Sequence, residues 1–417
     1  MFEVCAGCRL CFKYCGSFPT LFSLLDDEYD GDVSKLTRAE TDSVVDLCFQ
    51  CKLCEVQCPY TPRDGHAFQL DFPKLMHRHR AQRGRLHGFT LRERVMGDPD
   101  RTAAFARASL GLANVANKMP LQRWLMEKLL GIHRDKELPE FASTTFERWA
   151  DGAGRIHEEP GGETVLFPTC TVNNNEPQIG RDTLEVFDKN EVECRCVRGL
   201  ECCGMPTWEH GDLESLRQHA KANLDTLEPF VDAGAKVVVL QPTCSMMLRM
   251  EYPTLVAEED RERAAKVAAA VVDPGEYLWS IRKEERFNQD FQSSPEGTIT
   301  YHAPCHLRAQ RVGFRGRDLL RRIPGVSIDT VMECSGHDGT WAMTVEGFED
   351  SQKTGKNAFE EMKSSNGPVW ASECALAGIQ FHQHAGKGAE HPMSLLAKAY
   401  RPDGFGPGTS IEKKDEE

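Results

Sequence analysis

From residue 164 onward the apolar residues fall into two alternating patterns. Thr164-Val165-Leu166-Phe167 and Lys236-Val237-Val238-Val239-Leu240 are short, nearly continuous apolar runs, the pattern of strands buried on both faces. Between them Leu213, Leu216, Ala220, Leu224 and Leu227 recur every three or four residues, which predicts one face of a helix. After a polar linker at Gln292 to Gly297 the plan recurs, with strands expected at Thr298-Ile299-Thr300-Tyr301 and Pro368-Val369-Trp370-Ala371. Strands alternating with amphipathic helices predict parallel α/β sheets. The first part of the chain carries no such alternation. Thr20 to Leu25 and Ala39 to Leu47 read as helices, and Leu121, Trp124, Leu125 and Leu129 have helical spacing, with Trp124 expected in a core. A Gly-, Asp- and Glu-rich linker, Asp151 to Glu163, separates the two styles. The expected class is α+β and multi-domain. The divisions are a helical module at 1–72, a helical connector at 73–160 bridging the two halves, α/β lobes at 161–291 and 292–400, and a polar tail at 401–417.

Composition narrows the classes. The 417 residues are 40% hydrophobic and 27% charged, with a net charge of -14, which argues against nucleic acid as the main partner. No apolar run approaches the roughly 20 residues of a membrane span, so membrane association is expected only at the periphery, on the cytoplasmic face, or through a partner. Seventeen cysteines are many. The first stands at position 5, leaving no room for a leader, so the expectation is a cytoplasmic chain with metal-committed thiols rather than a secreted disulfide framework. One stretch inverts the charge: Lys74, Arg78, Arg80, Arg83, Arg85, Arg92 and Arg94 stand against a single acid, Glu93. It reads as a solvated helix face, or as a docking face for an acidic partner or anionic lipid heads.

The cysteines carry the chemistry. Cys48, Cys51 and Cys54 stand at two-residue gaps, followed by Cys58 and Pro59, and Cys5, Cys8, Cys11 and Cys15 repeat the spacing. In two-cluster ferredoxins three thiolates of such a run bind one 4Fe–4S cube and the fourth ligates the other. Cross-ligation predicts Cys5, Cys8, Cys11 and Cys58 on one cluster, and Cys48, Cys51, Cys54 and Cys15 on the second. Gly16 replaces the proline usual after Cys15. The segment between the runs reads as helix and turn, so the module is expected to be a helical ferredoxin domain. Zinc at the paired runs is the structural rival.

The two C-terminal lobes align on their cysteines. Cys170 matches Cys305 at an offset of 135, Glu201-Cys202-Cys203-Gly204 matches Glu333-Cys334-Ser335-Gly336 at 132, and Cys244 matches Cys374 at 130. Each cysteine follows an expected strand, where ligands of parallel sheets collect. The first lobe gathers four candidate ligands, Cys170, Cys202, Cys203 and Cys244. The second has three, Cys305, Cys334 and Cys374, because Ser335 replaces one thiol. Gly204 gives the bend that lets adjacent cysteines face one site. His302 and His306 beside Cys305 are candidates for tuning a cluster or moving protons, or for packing. Cys194 and Cys196 read as spare thiols on a strand, and Arg308 as an anion partner. Asp338 and Thr340 are candidate helix caps, and His382, His384 and His391 are expected on a surface loop. No dinucleotide fingerprint is present, so any flavin or nicotinamide is expected on a partner chain.

These motifs resemble a known family. Gly199-Leu200-Glu201-Cys202-Cys203-Gly204-Met205-Pro206, Gln241-Pro242-Thr243-Cys244, His302-Ala303-Pro304-Cys305-His306 and Glu333-Cys334-Ser335-Gly336-His337-Asp338, behind a two-cluster module, resemble the C subunit of anaerobic glycerol-3-phosphate dehydrogenase. They also look like the iron–sulfur subunits of glycolate and lactate oxidases and the Cys-Cys-Gly subunit of heterodisulfide reductase. The resemblance implies an iron–sulfur electron-transfer subunit, working between a flavoprotein dehydrogenase and a quinone or other acceptor. It leaves two alternatives: a thiol or heterodisulfide reductase acting at Cys202 and Cys203, and an electron donor to a rubrerythrin-like, peroxide-reducing protein. Further clusters in the lobes are implied too. The heterodisulfide-cleaving pattern has a fifth thiol where this chain has Met247. The second lobe offers a three-iron cluster, a four-iron cluster with Asp338 or His337 as an unusual ligand, or no metal.

Overall fold

A computed structural model describes residues 1–411. Its N-terminal module is helical, with helices at Phe2–Cys8, Ser17–Ser23, Arg38–Asp46 and Leu53–Gln57. A capping box fixes the start of the third, where the Thr37 side chain accepts from the Glu40 N–H and the Glu40 carboxylate accepts from the Thr37 N–H. Phe18, Leu21, Phe22, Leu25, Val44 and Val45 close a small core under the cysteine turns.

The basic stretch folds as helices Phe72–His87 and Leu91–Gly97. Phe72 and Met76 enter the module's core, while His77 stacks on Trp208 at 4.5 Å and bonds its carbonyl at 2.8 Å. Much of the charge is used internally. Arg80 donates to the carbonyls of Val45, Asp46, Cys48 and Glu209, Arg83 pairs with Asp46 and Arg92 with Glu346. Lys74, Arg78, Arg85 and Arg94 remain exposed.

Two parallel sheets follow. The first contains β1 (Thr164–Phe167), β2 (Cys194–Arg195), β3 (Lys236–Val239) and β4 (Val271–Val272), in the order β2-β1-β3-β4. The second contains β5 (Gly297–His302), β6 (Val326–Val331) and β7 (Val369–Ala371), in the order β6-β5-β7. In both, the first strand is central, the second lies on one side and the third on the other, all parallel. The internal repeat is thus a repeat of topology. β2 and β4 are too short for a sequence pattern, and β6 alternates between exposed and half-buried positions, so its apolar signal is thin.

The lobes share one core. Leu166, Val238 and Leu240 of the first pack in the same cluster as Ile299, Tyr301 and Leu396 of the second. The last stretch is not a free polar tail. Arg401 pairs with Asp182 and Glu185 of the first lobe, Ser410 bridges to Ser293, and Phe405 and Ile411 pack on the shared core. Residues 412–417 of that expected tail lie outside the described residues. Trp124 is also not a core residue, being 42% exposed.

A buried ion pair joins the module to the first lobe: the Lys52 ammonium, between two cysteines, meets the Glu251 carboxylate, both nearly inaccessible. Lys52 also lies 5.8 Å from the Trp208 ring. Glu251→Gln should lower unfolding free energy by about 3–5 kcal/mol, because it strands a buried ammonium. Replacing both, as Lys52→Met with Glu251→Leu, should recover most of the loss in denaturant unfolding of the cluster-loaded protein.

Candidate metal centres

The module's two cysteine turns interleave. The Cys5 thiol is pushed up to about 11 by burial, then by Cys58 and Cys8. Cys11 is pushed up to about 12 by burial, then by Cys58, Cys5 and Cys8. A cavity lies among these four, also lined by Phe18 and Leu70. The other set is deeper. Burial, then Cys15, holds Cys48 up at about 12, and Cys54 is pushed well up by burial and then by Cys51, Cys48 and Cys15. The sets touch where the Cys11 thiol faces the Cys54 carbonyl at 3.7 Å. Left-handed backbone at Arg9, Gln50 and Lys52 turns the chain between successive thiols.

In the first lobe every cysteine of the expected set sits at the carboxyl end of a strand. Cys170 opens a helix after β1, Cys202 and Cys203 follow β2, and Cys244 lies in helix Pro242–Met246 after β3. The Cys202 and Cys170 sulfurs are 3.8 Å apart. Cys203 faces Cys202 and Cys244; the Cys202 contact lowers its pKa, but the Cys244 contact and burial outweigh it and drive the pKa well up. Gly204 takes φ +80°, and a Cβ there would sit 2.5 Å from Leu216 Cδ1. Asp100 of the connector closes this site. It accepts from the Cys202 N–H at 2.8 Å and from the Asn174 amide at 2.8 Å. No local motif marks Asp100, which reaches the site only through the tertiary fold.

In the second lobe Cys305 starts helix Cys305–Gln310 after β5, Cys334 follows β6, and Cys374 caps helix Ala375–Ala385 after β7. Burial, then Cys334 and Cys374, push Cys305 up. Asp338 is near enough to raise Cys305, Cys334, Cys15 and Cys48, and its own carboxyl is held well up by burial and then by Glu209. His337 is buried and both ring nitrogens lack a partner among the described residues. Ser335 supplies a backbone carbonyl to the Gln380 amide at 3.2 Å.

The sites are contiguous. Cys51 is raised by burial and then by Cys305, and Phe49 lies 4.9 Å from the Trp341 ring in a small cluster that includes Cys15, Cys51, Cys305 and Cys334. Cys374 in turn is close enough to raise Cys244 of the first lobe.

The histidines position this junction. His306 Nε2 donates to the Gln50 carbonyl at 3.3 Å, which leaves Nδ1 to accept from the Thr243 hydroxyl at 2.8 Å. His302 likewise donates Nε2–H to the Glu333 carbonyl and accepts at Nδ1 from Ser372. Burial lowers both to about 4, so both are neutral struts near pH 7. Arg308 donates to the Met332 carbonyl. Cys194 and Cys196 pack in the shared core with Leu184 and Phe187, away from the first-lobe set. Thr340 does not cap by its side chain; its N–H and hydroxyl face the Glu209 carboxylate. His382 and His384 lie on helix Ala375–Ala385, and His391 caps the next helix by accepting from the Met393 N–H, so none is on a loose surface loop.

Among the described residues no three cysteine, histidine or carboxylate side chains close around a single-ion site. A cubane's thiolates each bind a different iron, and so stand further apart than the ligands of one ion. The donor chemistry fits such a group: buried thiols that raise one another's pKa are unfavourable as bare thiolates, and a cationic iron–sulfur core reverses that repulsion.

Comparison with known proteins agrees with this two-part plan. A family model described as a 4Fe-4S dicluster domain matches residues 4–61, and one described as a cysteine-rich domain matches residues 164–249. A 4Fe–4S dicluster domain is therefore present at the N-terminus. The C subunit of the anaerobic glycerol-3-phosphate dehydrogenase of Escherichia coli (strain K12) is 26% identical over 312 residues, 74% of this chain and 77% of that protein. The lactate utilization protein A of Bacillus cytotoxicus is 28% identical over 188 residues, 43% of this chain and 74% of that protein.

Gly204→Ala should lower unfolding free energy by about 1–3 kcal/mol, since it adds left-handed strain to an overlap with Leu216. Urea unfolding measures it. Gly234→Ala, also left-handed but with nothing within 4 Å, isolates the strain alone.

Proposed function

We propose that this chain is an electron-transfer subunit of an oxidoreductase complex, relaying electrons between a partner flavoprotein dehydrogenase and a quinone or other acceptor. The observation that carries the reading is the unbroken succession of thiol sets. It runs from Cys5, Cys8, Cys11 and Cys58 to Cys48, Cys51, Cys54 and Cys15, then to Cys305, Cys334 and Cys374, and last to Cys170, Cys202, Cys203 and Cys244. The first two sets would each hold a 4Fe–4S cluster and the first lobe a third. The second lobe, one thiol short, would hold a cluster only with a non-thiol ligand such as Asp338.

When bound, the clusters supply one-electron carriers. The chain's own residues do the rest: the Phe49–Trp341 contact and the His306 strut hold the module against both lobes, and burial excludes water from the inner sets. The dehydrogenase named by the Escherichia coli relative supports a flavoprotein subunit as the electron donor. Met247 is fully buried, so the place of the fifth thiol in heterodisulfide reductases is filled by a packed thioether that has no thiol to ionise or to form a disulfide. That supports electron relay over disulfide cleavage.

Iron and acid-labile sulfide assays with electron paramagnetic resonance of the anaerobically purified protein test the assignment. Cys58→Ser should remove or alter one cluster signal and spare the second. Cys203→Ser should remove a first-lobe signal and leave both module clusters intact. Unchanged iron content and spectra in Cys203→Ser would sink the first-lobe cluster, and a wild-type protein without iron would sink the relay.

A further inference from the structure

Arginines crowd around one tryptophan at the seam between the lobes. Trp279, on helix Pro274–Ser280 near the end of the first lobe, has three guanidiniums against its ring: Arg282 at 4.8 Å, Arg315 at 5.5 Å and Arg322 at 5.6 Å from the centroid. The last two belong to the second lobe. There helix Arg315–Leu320 packs so closely on the tryptophan's helix that a Cβ on Gly275 would meet the Gly316 nitrogen at 2.6 Å. Asp318 extends the group. Its carboxylate contacts Arg315 at 3.1 Å, Arg317 at 2.8 Å and Arg321 at 4.0 Å. Arg315 thus touches both ring and carboxylate, and the five arginines form one connected surface. Phe314 lies under Arg317 at 5.0 Å. From Arg308 to Arg322 the chain has six arginines and one acid, Asp318, in a protein of net charge -14. That one carboxylate serves three guanidiniums. Arg282 donates to the Trp279 carbonyl at 2.7 Å instead, and neither it nor Arg322 has a carboxylate partner among the described residues. Cation–π contacts hold guanidiniums in place and cancel none of their charge, so the patch keeps a positive excess for an anionic partner to neutralise.

The surroundings identify that partner as a protein. The cavity that Arg315 lines also carries the carboxyl groups of Asp273, Glu276 and Glu373, so it is not built for a small anion, and Arg321 and Arg322 lie outside it, exposed. Among the described residues no large hydrophobic side chain is exposed between Leu129 and Met332, so nothing here enters an acyl layer. A long nucleic acid would carry its phosphates past the patch onto a chain of net negative charge. A compact acidic protein fits better. Guanidiniums beside Trp279 and Phe314 give the arginine-and-aromatic composition of protein interfaces, and the negative remainder of the chain turns an acidic partner away elsewhere, which fixes its orientation. The patch also backs on the second-lobe thiols: a Cβ on Gly316 would meet the Glu373 carboxylate at 2.5 Å, and Cys374 follows Glu373 in the chain.

We propose that Arg282, Arg315, Arg317, Arg321 and Arg322, gathered around Trp279 and Asp318, form the docking face for an acidic protein partner. The face goes beyond the relay reading and stands apart from which clusters the thiol sets hold.

Fluorescence anisotropy of labelled flavodoxin, a small acidic flavoprotein, titrated with the full-length, cluster-loaded protein tests it. Binding should be measurable at low ionic strength, and added salt should weaken it. Two negatively charged proteins meeting anywhere else would repel, and salt would then strengthen their association, so the sign of the salt effect locates the contact. Arg321→Glu combined with Arg322→Glu should weaken binding about tenfold or more, because it sets like charges against the partner, with iron content and unfolding midpoint unchanged. Lys353→Glu with Lys356→Glu makes the same change in net charge on helix Phe348–Ser364, where both lysines are exposed, and should have a much smaller effect. The proposal is overturned by absence of binding at low salt, by binding that salt strengthens, by full binding of the arginine variant, or by equal loss in both variants. Phosphatidylglycerol vesicles, duplex DNA or inorganic phosphate held more tightly than flavodoxin, and released in the arginine variant, overturn it as well.

Discussion

The buried guanidinium of Arg80 is the joint on which the arrangement of the thiol sets depends. It reaches the carbonyls of Val45, Asp46 and Cys48 in the module and of Glu209 in the first lobe. A buried arginine is stable only when its donors are taken up, and here the acceptors belong to two different parts of the chain. Satisfying one side chain therefore fixes where the second cysteine run sits relative to the lobes. The Lys52–Glu251 pair and the His77–Trp208 stack repeat the device on nearby lines. All three use polar groups whose separation leaves something buried and unpaired, which penalises every misdocked arrangement more than it rewards the native one.

The lobes follow a different rule. A parallel sheet with its first strand in the centre brings the loops after all three strands to one end, and each lobe places its cysteines there. The repeat of topology explains why the cysteine offsets are nearly constant while the surrounding sequence has diverged: only the strand order and the strand-to-loop junctions must persist to keep three loops convergent. The second lobe has Ser335 where the first has Cys203, and a glycine follows in both. Gly336 has φ +72°, and a Cβ there would collide with the Ser351 carbonyl. At this position the two lobes share a left-handed glycine but not the ligand chemistry.

Much of the fold was legible because its signals are local. The spacing of both cysteine runs, the helical segment between them, β1, β3, β5 and β7, and the helix carrying Leu213 to Leu227 follow from short-range periodicity. The two-residue strands β2 and β4 and the half-exposed β6 carry too little apolar pattern to register. Asp100, Lys52 paired with Glu251, and the Phe49–Trp341 contact were not legible, because each gains its role from a residue far away in sequence. The docked stretch from Arg401 to Ile411 was misread for the same reason: its composition is polar, but its partners Asp182, Glu185 and Ser293 were out of view.

Helix Pro120–Leu130 shows a deeper limit of periodicity. Helical spacing of Leu121, Trp124, Leu125 and Leu129 identifies which residues share a face, and it says nothing about which way that face points. The usual inference that the apolar face points inward assumes water on the other side. Here the direction is set by Arg123, because three backbone carbonyls in the segment after the helix are oriented to accept its donors. Turning the stripe inward would bury four large side chains but strand those carbonyls and expel the guanidinium that binds them. The polar network decides the orientation, and the apolar stripe becomes surface. The same reasoning applies wherever an arginine interrupts an otherwise apolar helix: its acceptors, not the hydrophobic pattern, tell which side is the core.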